Sequence, residues 1–212
     1  MRLLWTALLG VFALMALAPA ARASVVYTID QDGCSSGCGT PPFGTIDLFQ
    51  VDPATVQIAV TLDAGIAIVQ TGSHISFGFN IAGDPAITIS GLPSAFSQGA
   101  GSHAQSGFGT FDYWLNCTGC GPGSNNSQSG PTFSVTRNDA ANLSINDFTA
   151  NALGDYFALD IVNFNVAGSP TGPVGSVGPG GDPQATPEPG SFLLVGSGLV
   201  GTDFLRRRRA PQ

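Results

Sequence analysis

A chain of 212 residues with 43% hydrophobic and 10% charged residues falls well below the ~25% charge content typical of soluble domains, and it contains no lysine. Between Ser24 and Ala185 it has twelve aspartates, no glutamate and one arginine, Arg137, so this stretch carries a net charge near −11 against −7 for the whole chain. Such a surface repels phosphate backbones, which excludes nucleic acid as a partner, and its long-range repulsion opposes self-association.

Residues 1–23, MRLLWTALLGVFALMALAPAARA, begin with the positive Arg2, run apolar from Leu3 to Ala18, and end in Pro19 and small residues. This is the layout of a secretory signal peptide. A short apolar helix enters the translocon with its positive end held inside, and small side chains fit the signal peptidase. Ala21-Arg22-Ala23 matches the A-x-A pattern, so cleavage is expected after Ala23.

From residue 24 to 167 the dominant period is two. Val56, Ile58, Val60 and Leu62 alternate with Gln57, Ala59 and Thr61, and Ile75, Phe77, Phe79 and Ile81 alternate with Ser76, Gly78 and Asn80. Further runs at 24–29, 44–51, 86–90, 108–115, 132–136, 143–149 and 156–166 read as strands. Turn chemistry separates them, at Asp52-Pro53, Asp63-Ala64-Gly65, Gly83-Asp84-Pro85, Gly91-Leu92-Pro93 and Asn138-Asp139. The expected fold is all-β, an antiparallel β-sandwich of jelly-roll type. Residues 168–186, GSPTGPVGSVGPGGDPQAT, are dense in Gly and Pro, and a spacer outside the core is expected there.

The tail, residues 187–212, holds Pro187-Glu188-Pro189, the apolar stretch 190–205 and the cluster Arg206, Arg207, Arg208 and Arg209. This arrangement resembles the PEP-CTERM sorting signal of Gram-negative bacteria, in which a Pro-Glu-Pro motif precedes a short apolar helix and basic residues. The resemblance implies processing by an exosortase, a membrane cysteine transpeptidase that cuts near the motif, and then release or attachment at the cell surface. It also implies bacteria that make exopolysaccharide. The arginines stay cytoplasmic by the positive-inside rule. Residues 190–205 are sixteen in number, short of the ~20 needed for a relaxed span, so a transient inner-membrane anchor is expected. Asp203 sits near the cytoplasmic end, beside the arginines. The stretches DGCSSGCG, FGTIDLFQ, ITISGL, GFGTFDY and FALDIVNF are similar to a recurring type of PEP-CTERM exported protein with two cysteine loops. That likeness implies no activity and no catalytic residue.

Each of two long loops, Gln31 to Pro42 and Asn116 to Pro131, holds a cysteine pair, Cys34/Cys38 and Cys117/Cys120. In an exported protein these read as two disulfides, with three pairings open. The alternatives are zinc held by all four, at imperfect spacing, or a redox centre at Cys117 and Cys120 without the βαβ context that lowers a thiol pKa. Asp30-Gln31-Asp32-Gly33 contains part of a calcium loop, which makes Asp30 and Asp32 candidate calcium ligands against a solvated turn. No other cofactor is expected. His74 and His103 read as surface or edge residues. Gly33-Cys34-Ser35-Ser36-Gly37 matches G-x-S-x-G only formally, since no strand-to-helix elbow surrounds it. Among Phe108, Phe111, Tyr113 and Trp114, the tryptophan is expected to share a face with Asp112 and offers a sugar-stacking candidate; the alternative is core packing. These readings favour a non-catalytic cell-surface or matrix protein in contact with exopolysaccharide. The alternatives are a carbohydrate-binding module, or a glycoside hydrolase built on two facing aspartates.

Overall fold

The computed structural model describes residues 23–123, 127–139 and 141–179. The signal segment up to Arg22, including Ala21, lies outside the described residues, as do Pro187, Glu188 and Pro189, the expected helix 190–205 and Arg206 to Arg209. The described residues from Ser24 onward form one compact unit.

Period-two patterning places one face of each strand in the interior. The first sheet has the order β1 (Ser24–Ile29), β3 (Gly44–Asp52), β4 (Thr55–Leu62), β12 (Thr132–Arg137), β7 (Ile87–Ser90). The second runs β2 (Gln31–Asp32), β14 (Thr171–Ser176), β13 (Phe157–Asn163), β6 (Phe77–Phe79), β11 (Tyr113–Cys117), β8 (Phe96–Gln98), with β5 (Ile66–Ile68) also pairing with β13. Every pairing is antiparallel. The two inner faces meet through aromatic contacts. Phe77 of the second sheet meets Phe133 of the first edge-on at 5.8 Å between ring centroids, and Tyr27 meets Phe157 at 4.8 Å. The fold is an all-β sandwich, as the alternation predicts.

The two outer faces differ. On the first sheet the register aligns Thr28, Thr45 and Thr61 in one row and Thr55, Thr136 and Thr88 in another. Between them lies a row of Ser24, Phe49, Gln57, Ser134 and Ser90. On the second sheet the outer face is covered. The hairpin of β9 (His103–Gln105) and β10 (Gly109–Phe111) brings Phe108 and Phe111 onto Ile75 and Ala158. As a result, β13 is buried on both faces along its whole length.

Three expectations are corrected. The spacer does not begin at 168, because Thr171–Ser176 is β14, paired along β13 with Val174 fully buried. Glycine is needed in this strand by close approach: a Cβ on Gly175 would lie 2.5 Å from the Phe108 ring. Composition that signals a linker here lets a ring pack on bare backbone. The run 143–149 is not a strand. Ile145–Asp147 is a 3₁₀ turn in which the Ser144 side chain and the Asp147 carboxylate form a capping box. The run 108–115 is divided between β10 and β11, with Asp112 at the corner.

Candidate functional site

Both disulfides are local, Cys34–Cys38 and Cys117–Cys120, so the thiolates that zinc would require are absent from both loops. Cys117 and Cys120 are buried, which withholds them from redox partners. The two oxygens of Asp32 accept the backbone N–H groups of Cys34 and Cys38, each at 2.9 Å. Asp32 thus caps the first disulfide loop, while Asp30 accepts from the Gln31 amide at the surface. Gln70 ties the second loop to the body: its Oε1 accepts from Cys117 N and Ser76 Oγ, and its N–H donates to Cys120 O. Closing a loop of about five residues stabilises a fold by about 2 kcal/mol through the unfolded chain. The double substitution Cys34→Ser, Cys38→Ser should therefore cost about 2 kcal/mol, read by urea denaturation. A loss below a few tenths would contradict a constraining role.

The outer seam of the second sheet holds a buried carboxylate. Asp160, fully buried on β13, accepts from the Thr71 N–H at 2.5 Å, from the Thr71 hydroxyl at 2.7 Å and from His74 Nδ1 at 3.2 Å. The sequence reading left His74 at a strand edge; its carboxylate partner lies 86 positions further along the chain, so local patterning could not find it. Thr71 Oγ1 approaches the same Nδ1 that faces the carboxylate. The trio therefore lacks the arrangement of a nucleophilic triad, where the hydroxyl meets the opposite ring nitrogen. It works as a strut for the segment that leads into β6.

Trp114 is half-buried and already engaged. Its indole N–H donates to Gly101 O at 2.9 Å, His103 lies over the ring at 4.8 Å between centroids, and its rings press on Gly99. Packing thus occupies the group offered as a sugar platform, while Asp112 lines a site whose walls do not include Trp114.

That site is an open cleft of about 440 Å³ beside the end of β6. The pairing of Tyr113 with Phe79 sets Asp112 next to Asn80, and the Asp112 N–H donates to Asn80 Oδ1 at 2.8 Å. Thr149 N–H donates to the Asn80 carbonyl at 3.2 Å, and Asp84 occupies the β6–β7 turn at φ 45°. Burial, and then the neighbouring Asp84 carboxylate, push the Asp112 carboxyl above its ordinary value. Asn80 is 5% exposed, and its Nδ2 has no hydrogen-bond partner. Thr110 and Thr149 complete the polar lining. The sequence reading missed this grouping: Asn80 and Asp84 appear there only as a strand residue and a turn residue.

The mature region's arginine is paired as well. Arg137 binds Asp139 through two bonds, at 2.9 and 2.6 Å, and holds that carboxyl down at about 2. Among the described residues, no helix is long and apolar enough to cross a membrane.

Residues 185–209 match the PEP-CTERM protein-sorting motif. No curated protein and no solved structure matches the chain. The chain therefore carries the sorting signal of an exported protein processed by exosortase in the Gram-negative envelope.

Proposed function

We propose that this exported, exosortase-sorted protein acts outside the cell as a non-catalytic component of the surface or matrix, held in contact with exopolysaccharide. The sorting motif at 185–209 is the observation that carries the reading. The outer face of the first sheet supports it. Rows of threonine and serine offer hydroxyl donors and acceptors on a firm strand surface, with the carboxylates Asp47 and Asp52 among them. Neutral hydroxyl groups exchange hydrogen bonds with hydrated glycans without the cost of stripping water from charges.

Protein recovered from outside the cell and mixed with the exopolysaccharide of the producing cells should co-sediment with it and release no reducing ends. Recovery in the supernatant would remove the association. Reducing ends that vanish on one Asp→Asn change would replace the reading with a hydrolase.

A further inference from the structure

Asp84 and Pro85 form the crossover between the two sheets, from β6 of the second to β7 of the first. The backbone there is strained. Asp84 has φ 45°, one of two non-glycine residues at positive φ among the described residues, and a side chain is uncommon at that φ even for aspartate. The next residue adds to the conflict, because a proline ring drives the residue before it towards extended backbone at negative φ. Such a conformation persists only where its surroundings impose it. Here they do so from both sides. The Asp84 N–H donates to Ile81 O at 3.1 Å, closing a turn with Gly83 at φ 78°. Pro85 is buried, and its carbonyl accepts from the Tyr113 hydroxyl at 2.5 Å.

The Asp84 side chain has a way to release this strain. A carboxylate oxygen of an aspartate reaches its own main-chain carbonyl carbon by closing a five-membered ring, and such intramolecular attack gains from proximity. Proline carries no N–H, and its nitrogen departs as a secondary amine once protonated. We propose that the Asp84–Pro85 bond is a self-cleavage site, at which the folded chain hydrolyses its own backbone in mild acid. Asp84 Oδ bonds to the Asp84 carbonyl carbon, and the C–N bond to Pro85 breaks. Its electron pair stays on nitrogen, which takes a proton from the acidic solvent. The cyclic anhydride left on Asp84 is opened by water, which enters from the open cleft that the exposed Asp84 lines. One water is consumed, two carboxyl groups and one amine are produced, and no oxidant or cofactor takes part. Because φ relaxes once the bond opens, the strain is lost on the way to the transition state.

The surroundings favour the charged product. Asp112 shares the cleft, close enough for the Asp84 carboxylate to raise its carboxyl after burial has done so, and carboxylates attract the new ammonium group. Tyr113 is held protonated by burial first and by Asp84 next. Arg137 is bound by Asp139, and the Asp147 carboxylate by the Ser144 N–H. The cut ends stay in place, since β6 is paired with β11 and β13, and β7 with β12. Both disulfides are local, so neither bridges the cut.

The same chain supplies its own control. Asp52 precedes Pro53 from within β3, and its Oδ1 is occupied by the Ala54 N–H at 2.8 Å. The exported protein is incubated at about pH 4, near the carboxylate range, below its Tm and again in urea, with an Asp84→Asn variant alongside. Asparagine tolerates positive φ as aspartate does but has no ionised oxygen to attack with. Mass spectrometry counts fragments that end at Asp84 and begin at Pro85 against those that end at Asp52 and begin at Pro53. In the folded protein the first cut should be at least about tenfold faster. In urea the two rates should come within about twofold, and the variant should lose only the first cut. The nicked protein should elute as one species in native buffer and separate without reductant in denaturant. Equal rates at the two bonds in the folded protein would overturn the proposal, as would a preference that survives urea or a first cut that persists in the variant.

Discussion

Replacing Pro187, Glu188 and Pro189 together with alanine is expected to leave the protein unprocessed at its C-terminal end and retained with the inner membrane. The effect should be close to all-or-none. Proline lacks a backbone N–H and restricts its own φ, chemistry that alanine does not reproduce. The motif falls within the matched residues 185–209, directly ahead of the apolar run, so the change removes the recognition element and leaves the apolar run and the arginines in place. Fractionation followed by blotting reads the outcome: wild type in the outer or released fraction, variant in the inner-membrane fraction with its tail intact. Processing that continues unchanged would show that the matched motif does not direct sorting.

Asp160→Ala is expected to cost about 3–5 kcal/mol, the range for removing one partner of a buried charged network. The change strips the acceptor from the Thr71 N–H, the Thr71 hydroxyl and His74 at once, and it opens a void in a strand buried on both faces. Urea denaturation measures it, and a loss under about 1 kcal/mol would mean the strut carries nothing. The same carboxyl sets the direction of pH dependence. Burial pushes it above its ordinary value, against the opposing hydrogen bonds from Thr71 and His74, and burial raises Asp47, Asp112 and Asp155 likewise. A raised carboxyl binds more protons folded than unfolded, so its contribution is greatest below the unfolded value near ~4 and is lost as pH rises through the folded value. Asp139, held at about 2 by Arg137, works the other way, but only in stronger acid. The Tm should therefore rise as pH falls from 7 towards about 4.5, and it should rise less in the Asp160→Ala variant. A Tm that falls steadily over this range would contradict the assignment.

How much of the fold is legible in the sequence depends on how local the cause is. The alternation from Val56 to Leu62 is a one-strand signal, and β4 forms there as expected, while of the alternation from Ile75 to Ile81 only Phe77–Phe79 becomes a strand, buried on both faces. Local chemistry that imitates another element misled the reading. Leu143 and Ile145 alternate with Ser144 and Asn146 as in a strand, until the side chains of Ser144 and Asp147 close on a 3₁₀ turn. Gly172 and Gly175 look like linker residues until Phe108, more than sixty positions earlier, is laid across Gly175. The cleft and the strut were invisible for a related reason. Asn80 meets Asp112 through the pairing of β6 with β11, and His74 meets Asp160 from the connection between β5 and β6, contacts that no short window contains. The cysteine pairs left three connectivities open, and the fold selects the local one by holding each pair within its own loop.

The most direct test is the intact mass of the protein recovered from outside the producing cells. Removal of the leader and of the sorting tail, with two closed disulfides, predicts a chain that begins at Ser24, ends near Pro187 to Pro189, and gains four alkyl groups only after reduction. The full 212-residue mass with alkylatable thiols, found in the cytosolic fraction, would contradict it.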